Sequence, residues 1–171
     1  MLAIFHYCSP CGTLLLGECD GHLCVCDWPT AEGAIRASVL RRLGQPESVF
    51  ARTPLLDCAA MQLDEYFAGT RTVFDLPVAM HGTEFQRRVW TALCSTAYGS
   101  TETYAGLARR CGCPMSVRAV ANAVAANAMS IIIPCHRIVA AGSTGGYAGG
   151  AEAKRQLLAL EARHSLIHLP N

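Results

Sequence analysis

Ile131-Ile132-Ile133-Pro134-Cys135-His136-Arg137-Ile138-Val139 sets a thiol and an imidazole side by side within an apolar, β-branched run. Three successive isoleucines favour a buried strand, and Pro134, which has no N–H, marks the place where ladder pairing stops. Cys135 is therefore expected at a strand end or bend. In a fully extended strand the side chains of Cys135 and His136 point to opposite faces, so either the chain bends at Pro134 or a water bridges the two. A thiol reacts as its thiolate, and a nearby base or imidazolium makes that form accessible. The dipeptide alone fits equally well a small apolar core residue beside a surface histidine.

Upstream, the composition shifts around Met80-His81-Gly82, which divides the chain into residues 1–80 and 81–171. Thr83-Glu84-Phe85-Gln86 has the spacing of a capping box and predicts a helix through Trp90 to about Ser95. Tyr98-Gly99 reads as a turn, and Thr103 to Cys111 as a short helix ended by Gly112. After Cys113-Pro114, Ser116 is expected to cap a second, alanine-rich helix from Val117 to Ala126. Two helices joined by a Gly/Pro turn outline a helix-turn-helix; an ordinary helical hairpin has the same pattern. Downstream of Val139, five glycines fall within residues 140–150. No Gly-Lys-Ser/Thr follows them, so a phosphate loop is not indicated. Ala151–Arg163 predicts an amphipathic helix with Ala153, Leu157, Leu158 and Leu160 inward and Glu161 near its end.

In the first 80 residues, Leu2–Tyr7, Thr13–Cys19 and Leu23–Trp28 read as strands, the last two joined by the hairpin pair Asp20-Gly21. Thr30 predicts the cap of a helix from Ala31 to Leu43 closed by Gly44. Thr53-Pro54 opens another helix, through Phe67, and Val73–Val78 reads as a further strand. The fold class is thus α+β. A small N-terminal α/β scaffold precedes a mostly helical C-terminal domain with a helix-turn-helix and a short strand bearing Cys135.

A hydrophobic fraction of 51% with 16% charged residues in 171 excludes disorder. No apolar run approaches membrane-spanning length, and Met1 to Gly17 lacks the basic start of a secretory signal, which predicts a cytoplasmic protein. Ten cysteines in such a chain point to buried thiols rather than disulfides. Cys8 and Cys11 have CxxC spacing, but no second CxxC follows, so no metal is expected. The net charge is only +1, yet residues 1–80 hold five arginines against nine acids, while residues 81–171 hold nine basic residues against four acids. A basic second half is a modest footprint for a polyanion.

The segment around Cys135 resembles the active-site signature of the O6-alkylguanine-DNA alkyltransferases, also called methylated-DNA–protein-cysteine methyltransferases: Pro-Cys-His-Arg followed by Val or Ile. The resemblance runs from Thr83 to Glu161 and takes in Arg118-Ala119-Val120 and Asn127 in the family's order and spacing. It implies DNA repair without a cofactor, in which a monomer binds the minor groove of double-stranded DNA, flips an alkylated guanine outward and takes the alkyl group onto Cys135. The acceptor then stays a thioether, so each molecule acts once. O4-alkylthymine is a further conceivable substrate.

By the same resemblance His136 takes the thiol proton through a water and Glu161 orients the imidazole, while Tyr104 hydrogen-bonds the leaving guanine. Asn127 ties the second helix to the active-site segment, and Arg137 is structural. Arg118 fills the space left by the flipped nucleotide, and Ser116, Ala119, Ala123 and Tyr104 are the expected DNA neighbours. Main-chain groups at Cys135, Ile138 and Ala148 are expected at the guanine edge, with Tyr147 in the loop that walls its pocket. The family often has serine where this chain has Ala148, and proline where it has Ala128. Some members hold a structural zinc, for which Cys19, Cys24 and His81 are the positions to inspect. A cysteine hydrolase and a helix-turn-helix regulator remain the rival readings of the residues themselves.

Overall fold

The computed structural model describes residues 1–165, which form two compact units, Met1–Gly82 and a second that begins at Thr83. In the first, strands β1 (Leu2–Ser9), β2 (Gly12–Cys19) and β3 (His22–Asp27) pair antiparallel, and a three-residue strand β4 (Ser48–Phe50) adds parallel to β1. The sheet order is β3-β2-β1-β4. Asp20 and Gly21 both take positive φ, 51° and 73°, as a tight hairpin with a right-handed twist requires. Helix α2 (Pro54–Phe67) starts with the Thr53 hydroxyl accepting from Leu56 N at 3.2 Å. It lays Leu56, Leu63 and Tyr66 against the sheet face that carries Leu14, Leu16 and Leu23, all fully buried.

Two expected elements of this unit do not form. The helix foreseen over residues 31–43 shrinks to α1 (Ala37–Arg42). The Thr30 hydroxyl and carbonyl instead close a turn with Ala34 N and Gly33 N, and Gly33 takes a φ of 77° that a helix cannot use. The strand foreseen over Val73–Val78 is reduced to one bridge between Val78 and Leu23. Both backbone groups of Asp75 are taken by the Gln62 side-chain amide, at 2.8 and 2.9 Å, and Pro77 has no N–H to lend a ladder. Conversely β4 carried no recognisable pattern, being three residues long and exposed throughout.

The second unit opens with α3 (Glu84–Cys94), whose capping box is formed: Gln86 N donates to Thr83 Oγ1 and Thr83 N to Gln86 Oε1, at 3.2 and 3.0 Å. After the Gly99 turn, β5 (Glu102–Thr103) leads into α4 (Tyr104–Arg110), and Gly112, at φ 71°, ends that helix. Helix α5 (Val117–Ala125) packs on α3 and α4 and is pinned by Trp90 Nε1 donating to Ala123 O at 2.8 Å. Ser116 stands at its N-cap, but its side chain makes no capping bond. Strand β6 (Ile138–Val139) pairs parallel with β5, and α6 (Gly150–Ser165) closes the described chain.

Among the described residues no helix is long and apolar enough to cross a membrane, and no group of three His, Cys, Asp or Glu side chains is placed to hold a metal.

Gly99 has φ 73°, and a Cβ built there lies 2.5 Å from Ser165 Cβ at the end of α6. Gly99→Ala meets both a left-handed backbone and a clash, and is expected to destabilise the protein by about 2 kcal/mol or more, read as a lower urea midpoint.

Candidate functional site

Ile131 and Ile133 are buried and Ile132 half-buried, but the isoleucine run is not a strand. Residues 130–133 turn on themselves, with Ile132 N donating to Ser130 O and Ile133 N to Met129 O at 2.9 and 2.8 Å. Ile131 takes φ 72° at 1% exposure; for a β-branched residue this is a strained conformation, of order 1–3 kcal/mol, held by the packing around it.

Pro134, at φ −79° and ψ 62°, is the centre of an inverse γ-turn closed by Cys135 N donating to Ile133 O at 2.7 Å. A single 3-10 turn over Cys135–Arg137 follows, and only then does β6 begin. Cys135 thus sits on a 3-10 turn, not on a strand, and the bend foreseen at Pro134 is the one the chain takes. The β-branched run misled because the carbonyls that a ladder uses are spent on local turns.

Asn127, just past the C-terminus of α5 and 2% exposed, reaches this turn. Its Nδ2 donates to Ile133 O at 3.0 Å and to the Cys135 sulfur at 3.1 Å, while its Oδ1 accepts Met129 N at 3.0 Å. A main-chain donor on one side and a main-chain acceptor on the other fix which end of the amide faces the sulfur. The amide hydrogen therefore meets Sγ. Such a bond favours the charged form of the thiol.

His136 and Glu161 are fully buried, with His136 Nε2 2.7 Å from Glu161 Oε1. The same carboxylate accepts Arg137 Nε at 2.9 Å, Arg137 Nη2 at 3.0 Å and Gly99 N at 3.0 Å. Arg137 Nη1 reaches on to Thr96 O at 2.6 Å. Burial alone drives the Glu161 carboxyl upward, but the bonds from His136 and Arg137 overcome it and hold the group down at about 2. An ionised carboxylate only accepts, so Nε2 carries the hydrogen and Nδ1 is the basic nitrogen. Burial pushes His136 below its ordinary value, opposed by Glu161. The imidazole therefore rests neutral and ready to take a proton.

Two further groups line the neighbourhood. The Tyr104 hydroxyl, at the start of α4, is raised by burial and by the nearby Cys135 sulfur, so it stays a proton donor. Gly145, at φ 74°, brings the glycine-rich loop so close that a Cβ there would lie 3.4 Å from the Tyr104 ring and 3.2 Å from Ala140 N. Tyr147, half-buried in the same loop, sets its ring edge-on to His136 at 6.4 Å. Ala148 is exposed. Ile138 is fully buried, its N–H donating to Cys135 O and its carbonyl accepting Lys154 Nζ at 2.6 Å.

Lys154 was not anticipated. It replaces Leu160 on the inward face of α6, where Ala153, Lys154, Leu157 and Glu161 are buried and Leu158 and Leu160 only half so. Its ammonium also reaches Gly146 O at 3.2 Å and so ties the glycine-rich loop to β6. Burial lowers its pKa, and the nearby Cys135 raises it back. Arg137 does more than its structural label conveyed, since it holds the catalytic candidate Glu161 with two bonds. The only sequence signal for either was a charged residue recurring on an otherwise apolar pattern.

The residues expected at DNA separate. Arg118 and Ala119 are exposed on α5 and Ser116 is half-buried, whereas Ala123 is 2% exposed and faces Trp90 of α3. Ala123 is therefore corrected to a packing residue: it lies about 140° round the helix from Arg118 and, although one turn from Ala119, it sits at the end of α5 that Trp90 covers. Asn122 and Ala125 share the outer face in its place, and Met115 in the turn before α5 is 96% exposed.

A sequence model of the 6-O-methylguanine DNA methyltransferase DNA-binding domain matches residues 84–163, and one of the ribonuclease-like domain of 6-O-methylguanine DNA methyltransferase matches residues 6–80. The chain is 48% identical over 108 residues to a methylated-DNA–protein-cysteine methyltransferase of Mycolicibacterium paratuberculosis, covering 63% of this chain and 66%, just under two thirds, of that protein. Over 122 residues it is 42% identical to one of Methanosarcina acetivorans, covering 71% of this chain and 78% of the relative.

Among solved structures, the Mycobacterium tuberculosis O6-methylguanine methyltransferase superposes with a TM-score of 0.80 at 34% identity, covering 96% of this chain and 94% of the other. A complex of Mycobacterium tuberculosis OGT with DNA gives 0.79 at 35% identity, covering 95% and 93%. With both halves matched in order and the Cys135 segment inside the second match, the chain belongs to the methylated-DNA–protein-cysteine methyltransferase family.

Proposed function

We propose that this protein repairs O6-alkylguanine in double-stranded DNA by moving the alkyl group, once and irreversibly, onto Cys135. The observation that carries the reading is the Cys135 sulfur held 3.1 Å from Asn127 Nδ2 next to a buried His136–Glu161 pair 2.7 Å apart. His136 Nδ1 takes the thiol proton through a water, and Glu161 stabilises the imidazolium that forms. The Asn127 amide steadies the thiolate. Sulfur then attacks the alkyl carbon, a C–S bond forms as the C–O6 bond breaks, and the electron pair leaves with guanine. Tyr104, kept protonated, hydrogen-bonds the leaving base.

A buried thiol cannot reach an alkyl group inside the helix, so the nucleotide is flipped out at a cost of a few kcal/mol. Arg118, exposed on α5, offsets part of that by filling the vacated stack from the minor groove. The glycine-rich loop with Tyr147 and Ala148 forms a wall of the base pocket, and main-chain groups at Cys135, Ile138 and Ala148 meet the base edge. No cofactor takes part. The protein acts as a monomer in the cytoplasm. A thioether lacks the carbonyl that water attacks in a thioester, so nothing restores the thiol.

Mass spectrometry after incubation with O6-methylguanine duplex is expected to show one methyl group on Cys135, one equivalent per chain, and none in Cys135→Ala. Catalytic release of product points instead to a hydrolase, and tight DNA binding without an adduct to a regulator. Arg118→Ala is expected to slow repair of duplex more than reaction with the free alkylated base; equal losses refute its role in flipping.

Acid is expected to weaken the fold in a defined window. His136, held neutral in the fold, withholds a proton that the unfolded chain takes up below about 6.5, so stability declines as pH falls past that value. Glu161, held at about 2 against an ordinary 4.5, adds stability that is complete above 4.5 and lost toward 2. Glu161→Gln leaves Arg137 buried without its counter-charge. It is expected to lose about 3–5 kcal/mol at neutral pH and to show a flatter acid limb below pH 4.5 in urea unfolding; an unchanged acid limb refutes the assignment.

A further inference from the structure

The outer face of α5 and of the turn before it presents Met115, Arg118, Ala119, Asn122 and Ala125, while Val120, Ala123 and Val124 pack inward. Alanine side chains end at Cβ, so only Met115, Arg118 and Asn122 project from this face. Of these, only Arg118 and Asn122 carry N–H donors. The next step rests on the proposed function: with Arg118 filling the vacated stack, Asn122 is the one projecting side chain left to meet a base edge. It lies four residues further along the same face, about 6 Å, which is less than two base-pair steps of about 3.4 Å.

What an amide can distinguish there follows from the groove. The minor-groove edge of A·T, in either orientation, offers acceptors alone, whereas guanine sets a 2-amino donor beside its N3 acceptor. An asparagine amide carries a donor and an acceptor side by side. Against guanine both halves are used, Nδ2–H donating to N3 and Oδ1 accepting from the 2-amino group; against adenine the acceptor half has no partner. We propose that Asn122 reads a guanine within two base pairs of the lesion through its minor-groove edge, which makes repair depend on flanking sequence.

The test isolates the 2-amino group. Rates of Cys135 methylation at limiting protein are measured on O6-methylguanine duplexes in which a purine at the first or second pair on either side is guanine or hypoxanthine, adenine or 2,6-diaminopurine. At one of these positions the purine bearing a 2-amino group is expected to react about two- to tenfold faster, the span of one net hydrogen bond. Asn122→Ala, which replaces an exposed helix residue by a better helix former, is expected to erase the difference.

The sign is informative, because a 2-amino group also strengthens pairing beside the lesion and so opposes extrusion. Rates that are indifferent to the 2-amino group, lower in its presence, or equally dependent on it in Asn122→Ala overturn the proposal. Wild-type protein offered free O6-methylguanine base separates the failures. An adduct there without flank dependence removes the reading by Asn122 alone, and no adduct in either assay removes the alkyl-transfer reading with it.

Discussion

A carboxylate with no exposed surface accepts four hydrogen bonds from three places in the second unit: His136, Arg137 twice, and the main chain of Gly99. Taking Glu161 out of water costs several kcal/mol, and the charge persists inside only because its lone pairs are met by donors, one of them cationic. The consequences spread from there. The carboxylate fixes the His136 tautomer, so that the basic nitrogen is the one turned away from it. It also joins the end of α6 to the 3-10 turn bearing Cys135 and to the turn after α3, three pieces of chain that no ladder connects.

The sulfur is positioned by a separate device. Asn127 spends every polar atom of its side chain on the turn that carries Cys135, two on main-chain partners and the remaining hydrogen on the sulfur. An inverse γ-turn at Pro134 aims the thiol. Because Asn127 follows directly on α5, the helix that bears Arg118 and the reacting atom are linked through one amide. Lys154 makes the corresponding link on the other side, holding the β6 carbonyl and the glycine-rich loop with a single buried ammonium. The thiol thus has an amide donor in contact and an ammonium nearby, both of which favour its ionised form, beside an imidazole that burial keeps neutral.

Helix α5 divides its own faces by the same economy of side chains. Alanines serve on both sides, but Ala123 lies where Trp90 bonds its carbonyl, and Ala119 lies where nothing covers it. A small residue is compatible with close packing and with close approach to a groove. The identity of the residue does not choose between them, and neither does helix phase, since the two alanines lie one turn apart; the packing of Trp90 against the later turn of α5 does.

Much was legible in the order of residues alone. The capping box at Thr83, the hairpin at Asp20-Gly21, the Pro54 helix start and the Gly112 stop are local rules, satisfied by atoms a few residues apart, and they formed where they were read. What failed depended on partners far along the chain. Asp75 was claimed by Gln62, Ile131 was held in a positive-φ turn by burial, and Lys154 found two carbonyls at β6 and the loop.

The sequence determined which groups are present and where the backbone bends. Only the tertiary structure decided that Glu161, 25 residues beyond His136, lies against it and against Arg137, and that Asn127 turns its amide hydrogen to the sulfur. Hydrogen bonds between buried groups are set by how whole elements pack, and no local periodicity encodes that.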